Sequence, residues 1–458
     1  MDRIEIYNII TRQREYFKSG KMREPKARVE SLKKLYQNIK LMLPEIADAL
    51  KKDLNKCEME AYMSEIGMVL SETRHMIKHC KGYSKPRRVS TPLAHFPSKS
   101  YKLPNPYGCV LVISPWNYPF LLSIDPIIDA VSAGNSVILK SSQSSPNVTQ
   151  VMAKLIETTF ERGHVDVVLG SHEDCDYLVE QDFDYIFFTG SPKIGKMIMQ
   201  KATEHFTPVT LELGGKSPCI VNSDADIKLS AKRIVWGKFL NCGQTCVAPD
   251  YIYCHESIKA QLVDEIKRQI VLQYTTDPIR NNDYPKMINE KRFEAVVSLI
   301  DTDKVLFGGR VDKDKLKIEP TLVDATFNDV IMQEEIFGPV LPFVTFKDID
   351  EAITKVNSLP TPLALYVFSN EKNVQDKVLN TCNFGGGCIN DTVIHLASSN
   401  LGFGGLKQSG IGSYHGRTGF DTFTHYKSIV NKRNWLDLPL RYQPVSKFKY
   451  WLFKLFLR

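Results

Sequence analysis

A chain of 458 residues is too long for one simple hydrophobic core, so two or three domains are expected. Its 43% hydrophobic and 24% charged residues are ordinary for a globular protein and exclude disorder at scale. The net charge of +7 sits at the end of the chain, where eight basic residues from 427 onward face one acid, Asp437. The remainder is neutral, which excludes a basic body for nucleic acid.

In chain order, residues 1 to about 81 read as helices, with Leu32, Leu35, Tyr36 and Ile39, then Tyr62, Ile66, Val69 and Leu70, at helical spacing. The first twenty residues hold Asp2, Arg3, Glu5, Arg12 and Arg14 in place of an apolar leader core, and the ten cysteines include no C-x-x-C pair. Both features predict a cytoplasmic protein with reduced thiols. Lys85-Pro86 and Thr91-Pro92 punctuate an extended arm. The uncharged run 107–124 approaches membrane-spanning length, yet Pro115, Asn117 and Pro119 at its centre make it strand, loop and helix.

Between about 107 and 221, short β-rich runs alternate with helical ones. Strands are predicted at 110–113, 137–139, 165–168 and 185–188, and helices near 123–133, 147–162 and 192–203. Continuous apolar strands with helical crossovers imply a parallel, Rossmann-like sheet covered on both faces, whose ligands sit beyond the carboxyl ends of the strands. After Gly214-Gly215 a second α/β unit is predicted, with helices near 225–240, 256–270, 286–299, 348–357 and 371–380 and strands near 318–323, 341–346, 363–368 and 386–390. Residues 396–413 are glycine-rich loop. In the tail, Phe448, Trp451, Leu452, Leu455 and Phe456 share one helical face while Lys447, Lys454 and Arg458 fall on another. A short basic amphipathic helix of this kind suits a bilayer surface or a partner subunit equally.

The chemistry centres on Asn241-Cys242-Gly243-Gln244-Thr245-Cys246, where a helix broken by Gly243 delivers two cysteines to a turn ahead of a strand at 251–253. Backbone N–H groups on such a turn favour thiolate. A zinc site from Cys242, Cys246, Cys254 and His255 is disfavoured, because adjacent strand residues point to opposite faces, and no metal is expected. Thr189-Gly190-Ser191 is a strand end, turn and helix N-terminus suited to pyrophosphate. The stretch from Gly190 to Lys196 nearly matches a P-loop and fails at Met197, where magnesium needs Ser or Thr. An ATP-using enzyme and a catalytically silent membrane-surface protein are the alternatives.

Gly243-Gln244-Thr245-Cys246 resembles the nucleophile motif of the aldehyde dehydrogenase superfamily. Four further blocks stand in that family's order: Ser114-Pro115-Trp116-Asn117-Tyr118-Pro119-Phe120, Phe188-Thr189-Gly190-Ser191, Leu211-Glu212-Leu213-Gly214-Gly215-Lys216-Ser217-Pro218 and Glu334-Glu335-Ile336-Phe337-Gly338-Pro339. Pro362-Leu363-Ala364-Leu365-Tyr366 and Tyr414-His415-Gly416 are similar to the class 3, fatty aldehyde type, branch. The resemblance implies oxidation of a medium- to long-chain aliphatic or aromatic aldehyde to its acid, with Cys246 as nucleophile and Glu212 as general base for thioester hydrolysis. Asn117 and the Cys246 backbone N–H would be the oxyanion donors. NAD, NADP or both would be held by Lys140, Gln143, Thr189, Gly190, Ser191, Gly195, Glu335 and Phe337. The neutral Gln143 stands where the family carries a glutamate near the 2′-hydroxyl, which removes a repulsion against a 2′-phosphate. The fold expected is α/β: a Rossmann-like parallel-sheet cofactor domain (1–83 and 104–210), a second α/β catalytic domain (211–415), a small β bridging and oligomerisation arm (84–103 and 416–445) and the basic tail (446–458). The resemblance also implies a homodimer, a channel lined partly around Tyr62, Trp116, Cys242 and 395–403, and peripheral membrane contact through the tail.

Overall fold

The computed structural model describes residues 2–456. Its first sheet has six strands, in the order Gly410–Ile411, Val209–Glu212, Tyr185–Thr189, Cys109–Ile113, Ser136–Lys140, Val165–Val167. All neighbours are parallel except the edge pair formed by Gly410–Ile411. The strand Cys109–Ile113 is apolar and buried throughout because both its faces are covered. Val110 and Val112 join Val137, Leu139 and Phe187 in a core shared with helices Leu121–Ala133, Pro146–Thr159, Pro25–Leu41 and Gly67–Tyr83. Leu111 and Ile113 join Ile138, Ile186 and Phe188 on the opposite side, under helices Arg3–Lys18, His172–Val179 and Pro192–Ala202.

Chain order sets the ligand edge. From Cys109–Ile113 the chain steps to Ser136–Lys140 and Val165–Val167 on one side, then returns to Tyr185–Thr189 on the other. Such a reversal opens a crevice at the carboxyl ends of the two central strands. The 114–120 loop and the Gly190 turn leave from there.

A second, seven-stranded sheet runs in the order Val305–Phe307, Thr321–Asp324, Val340–Phe346, Tyr251–His255, Pro218–Val221, Ala364–Phe368, Gly386–Ile389, parallel but for Val305–Phe307. A third, antiparallel sheet joins Arg87–Val89 and Ser98–Pro106 to Thr424–Lys432. The chain is thus mixed α/β with two largely parallel sheets. Helix Lys447–Phe456 forms as its periodicity predicts, with Phe448, Trp451 and Leu455 exposed; Arg458 lies outside the described residues.

Several elements depart from expectation, strands Val209–Glu212 and Pro218–Val221 among them. Helix His172–Val179 has no apolar stripe to announce it and is nucleated by a capping box between Ser171 and Asp174. The helix expected near 225–240 runs from Ile227 to Phe239 and ends ahead of Gly243, because Asn241 and Cys242 already take left-handed backbone.

Candidate active site

Four neighbouring strand ends carry polar residues to the crevice. Ile113 pairs with Lys140 and with Phe188, and Thr189 pairs with Glu212. Asn117 lies four residues past Ile113. Glu212 is 2% exposed, and neither of its carboxylate oxygens has a hydrogen-bond partner among the described residues. Burial pushes its pKa well above the usual carboxylate range, the direction its leucine neighbours imply.

The loop leading to Cys246 is strained and heavily bonded. Asn241, Cys242 and Gly243 have φ of 53°, 54° and 72°, and left-handed backbone costs a non-glycine residue about 1–2 kcal/mol. Side chains hold it there. The Asn241 N–H donates to Glu60 Oε1 at 2.8 Å, and its Nδ2 donates to the Asn117 carbonyl at 2.7 Å. Gln244 Nε2 donates to the carbonyls of Asn241 and Lys286 at 3.0 Å, and its Oε1 accepts from the Ile288 N–H. At Gly243 an added Cβ would come within 2.3 Å of the Gly338 carbonyl oxygen, so only glycine fits. Within 238–250, Cys246 is the residue left partly exposed.

The two cysteines of this loop sit in different surroundings. Burial, then Glu335 and Glu212, push the Cys246 pKa up, against the lowering from nearby backbone N–H groups. The Cys242 thiol is fully buried, donates to Tyr284 Oη at 3.4 Å and belongs to the core of the second sheet. It therefore lines no channel.

Asn117 reaches the same loop from the other side. Its Nδ2 donates to the Gln244 carbonyl at 3.1 Å, and Tyr118 and Thr245 share a hydroxyl–hydroxyl bond at 2.6 Å. Trp116 meets Phe337 edge-on at 5.4 Å, and the Arg292 guanidinium lies 5.7 Å from the Phe337 ring centre. Glu335 is packed on Gly214, where a Cβ would come within 2.1 Å of its Oε2. Burial and the neighbouring Asp250 push its pKa up to about 8. Lys216 Nζ ties this segment down through Asp250 at 2.7 Å and the carbonyls of Ile331 and Glu334 at 2.8 and 3.0 Å. Cys246, Glu212, Asn117, Glu335 and Phe337 are thus gathered from both sheets.

The other predicted residues lie at and just beyond the ends of strands Ser136–Lys140 and Tyr185–Thr189. Lys140 is buried and its Nζ donates to the Ser141 carbonyl at 2.8 Å. Thr189 Oγ1 is buried without a partner among the described residues. Ser191 is exposed at the start of helix Pro192–Ala202 and makes no side-chain cap bond. Gln143 is exposed after the Lys140 strand. Gly190 and Gly195 serve close packing: Cβ atoms there would lie 2.5 Å from the Phe188 ring and 2.6 Å from Leu213 Cδ2. An uncapped helix N-terminus and an orphan hydroxyl at one strand end, with a lysine at the end of the strand beyond Cys109–Ile113, fit a dinucleotide. Sequence reasoning missed Lys56, Glu60 and Glu65, because charged side chains in a helical region read as solvated surface.

A switch-point crevice of this kind, facing a partly exposed thiol, defines the class: a dinucleotide-dependent oxidoreductase. The chain belongs to the aldehyde dehydrogenase family, which it matches over residues 1–429. It is 45% identical over 439 residues to the 4,4'-diaponeurosporen-aldehyde dehydrogenase of Staphylococcus aureus, covering 95% of this chain and 96% of that one. It is 41% identical over 446 residues to the mouse dimeric NADP-preferring aldehyde dehydrogenase, covering 97% of each. A solved structure of Staphylococcus aureus AldH in a substrate-bound state superposes with a TM-score of 0.97 at 43% identity, covering 100% of both chains. The protein is an NAD(P)-dependent aldehyde dehydrogenase. Among the described residues no helix is long and apolar enough to cross a membrane.

Proposed function

We propose that Cys246 is the nucleophile, Glu212 the general base and Asn117 an oxyanion donor in the oxidation of an aldehyde to a free acid. The carrying observation is the orphan Glu212 carboxylate, buried within electrostatic reach of the partly exposed Cys246 thiol. The sulfur bonds to the aldehyde carbon while its proton is released to solvent. The second N–H of the Asn117 amide and the Cys246 backbone N–H receive the oxyanion. A nicotinamide held beside Glu335 and Phe337 would supply the hydride acceptor for the adduct. The resulting thioester is cleaved by water, whose proton Glu212 takes, and the acid leaves as Cys246 regains its sulfur lone pair.

Lys140, Thr189, Gly190, Ser191 and Gly195 hold the adenosine and phosphate side of NAD or NADP, and Glu335 and Phe337 the nicotinamide side. Gln143, exposed and neutral, supports use of NADP beside NAD. In domain terms, 1–83 with 104–210 bind the cofactor, 211–415 carry the chemistry, and 84–103 with 416–445 bridge the subunits of a homodimer. The strand pairing of Ser98–Pro106 with Thr424–Lys432 supports that bridge, and the mouse relative is named as dimeric. Ten free thiols fit a reducing cytoplasm.

The substrate is a medium- to long-chain aliphatic or aromatic aldehyde, delivered near a bilayer that the tail touches peripherally; the tail's exposed Phe448, Trp451 and Leu455 support this. Absorbance at 340 nm with NAD or NADP and aldehydes of increasing length tests the reaction, and Cys246→Ala should abolish it. Deleting 447–458 should weaken liposome binding and leave turnover of a short soluble aldehyde intact. Unchanged liposome binding assigns the tail to the partner subunit instead.

A further inference from the structure

The short helix Glu58–Ala61 passes through one π-helical turn, Tyr62–Ile66, before continuing as Gly67–Tyr83. A π-turn inside an α-helix resets the direction of the side chains that follow it and marks functional sites more often than chance. Here it leaves Tyr62 and Met63 exposed and Glu65 fully buried. Lys56, just ahead of this segment, is also 0% exposed.

These two residues grip the loop that carries Asn117. Lys56 Nζ lies 2.5 Å from Glu65 Oε1, donates to the Asn117 carbonyl at 3.2 Å and sits 4.0 Å over the Tyr118 ring. Glu65 Oε2 accepts the N–H groups of Phe120 and Leu121 at 2.9 and 3.2 Å, at the start of helix Leu121–Ala133. The loop is therefore held at its centre and at its C-terminal end, and the Asn117 carbonyl is held twice, by Lys56 and by Asn241 Nδ2. The same segment reaches the opposing loop, since Glu60 Oε1 accepts the Asn241 N–H. A fully buried ion pair is weak evidence for stability, because apolar residues of like volume often serve as well or better. Its contacts here converge instead on one loop.

We propose that Lys56 and Glu65 are positioning residues for the reaction: a buried ion-pair clamp that sets the Asn117 amide at its working distance from Cys246. The proposal rests on the reading of Asn117 as an oxyanion donor. It predicts that losing the clamp misplaces one amide while leaving cofactor binding and the thiol unaltered. Misplacement by about 1 Å is worth on the order of 10²-fold in rate.

The test is a double-mutant cycle on the single-turnover rate of cofactor reduction, with Lys56→Met and Asn117→Ala, alone and combined. Lys56→Met alone should slow that rate by about 10- to 100-fold with the cofactor Kd unchanged. In the Asn117→Ala background the same change should cost less than about threefold, because the group it misplaces is gone. Equal losses in both backgrounds, or an unaltered rate in folded Lys56→Met, overturn the proposal. An unaltered rate in Asn117→Ala alone fails the oxyanion reading instead, a separate outcome. Should Lys56→Met not fold, Glu65→Gln removes the ion pair while keeping an acceptor for the Phe120 and Leu121 N–H groups, and runs through the same cycle with the same criteria.

Discussion

The Cys246 loop and the Gly190 turn lie on the same crevice and are built in opposite ways. Around Cys246, three successive left-handed residues are held by side-chain bonds from Glu60, Asn241 and Gln244. Around Gly190, the helix start is exposed, Ser191 makes no cap bond and Thr189 Oγ1 has no partner among the described residues. One region has spent its hydrogen bonds internally to fix geometry before anything arrives. The other has kept its donors open for a ligand. Preorganisation accelerates the chemical step, whereas open donors set affinity and cofactor choice.

The comparison can be broken first at its rigid end. Asn117→Ala should reduce kcat by about 10²- to 10³-fold with a smaller change in aldehyde KM, as for other single oxyanion donors. A loss confined to KM would move Asn117 to binding and erase the contrast. At the open end the effect is smaller. Gln143→Glu should shift the kcat/KM ratio toward NAD by about tenfold, the cost of about 1.4 kcal/mol in repulsion against a 2′-phosphate. A preference for NAD above about a thousandfold in the unaltered enzyme would remove the basis for that shift.

A separate prediction concerns stability. Glu335 is raised from 4.5 to about 8, first by burial and then by Asp250. Between those values the folded state binds more protons than the unfolded one, so this carboxyl's contribution is full below 4.5 and is lost as pH rises to about 8. The decline is at most about 1.4 kcal/mol per pH unit. Glu335→Gln should flatten the fall of Tm over that window, and an unchanged slope would place the titration elsewhere.

What the sequence made legible follows from what its residues must satisfy locally. Strands buried on both faces, such as Cys109–Ile113, show as unbroken apolar runs, and the Thr189-Gly190-Ser191 turn shows as punctuation between a strand and a helix. Helix His172–Val179 was hidden because its acidic first turn and capping box carry no apolar period. The state of Cys246 was hidden for another reason. Its turn alone argues for thiolate, and only the fold buries it and brings Glu335 and Glu212 near enough to raise its pKa. The Lys56–Glu65 clamp was illegible too, since its register depends on a π-turn that no periodicity in the sequence marks.

The central claim is that a thiol and an orphan carboxylate divide the reaction, with Cys246 forming the acyl bond and Glu212 releasing it. It is tested most directly by mixing Glu212→Gln with aldehyde and oxidised cofactor and following reduced cofactor and protein mass together. The account predicts a burst of about one reduced cofactor per site, slow turnover afterwards, and an acyl adduct on Cys246. Steady turnover at the unaltered rate, or an adduct on another residue, would contradict it.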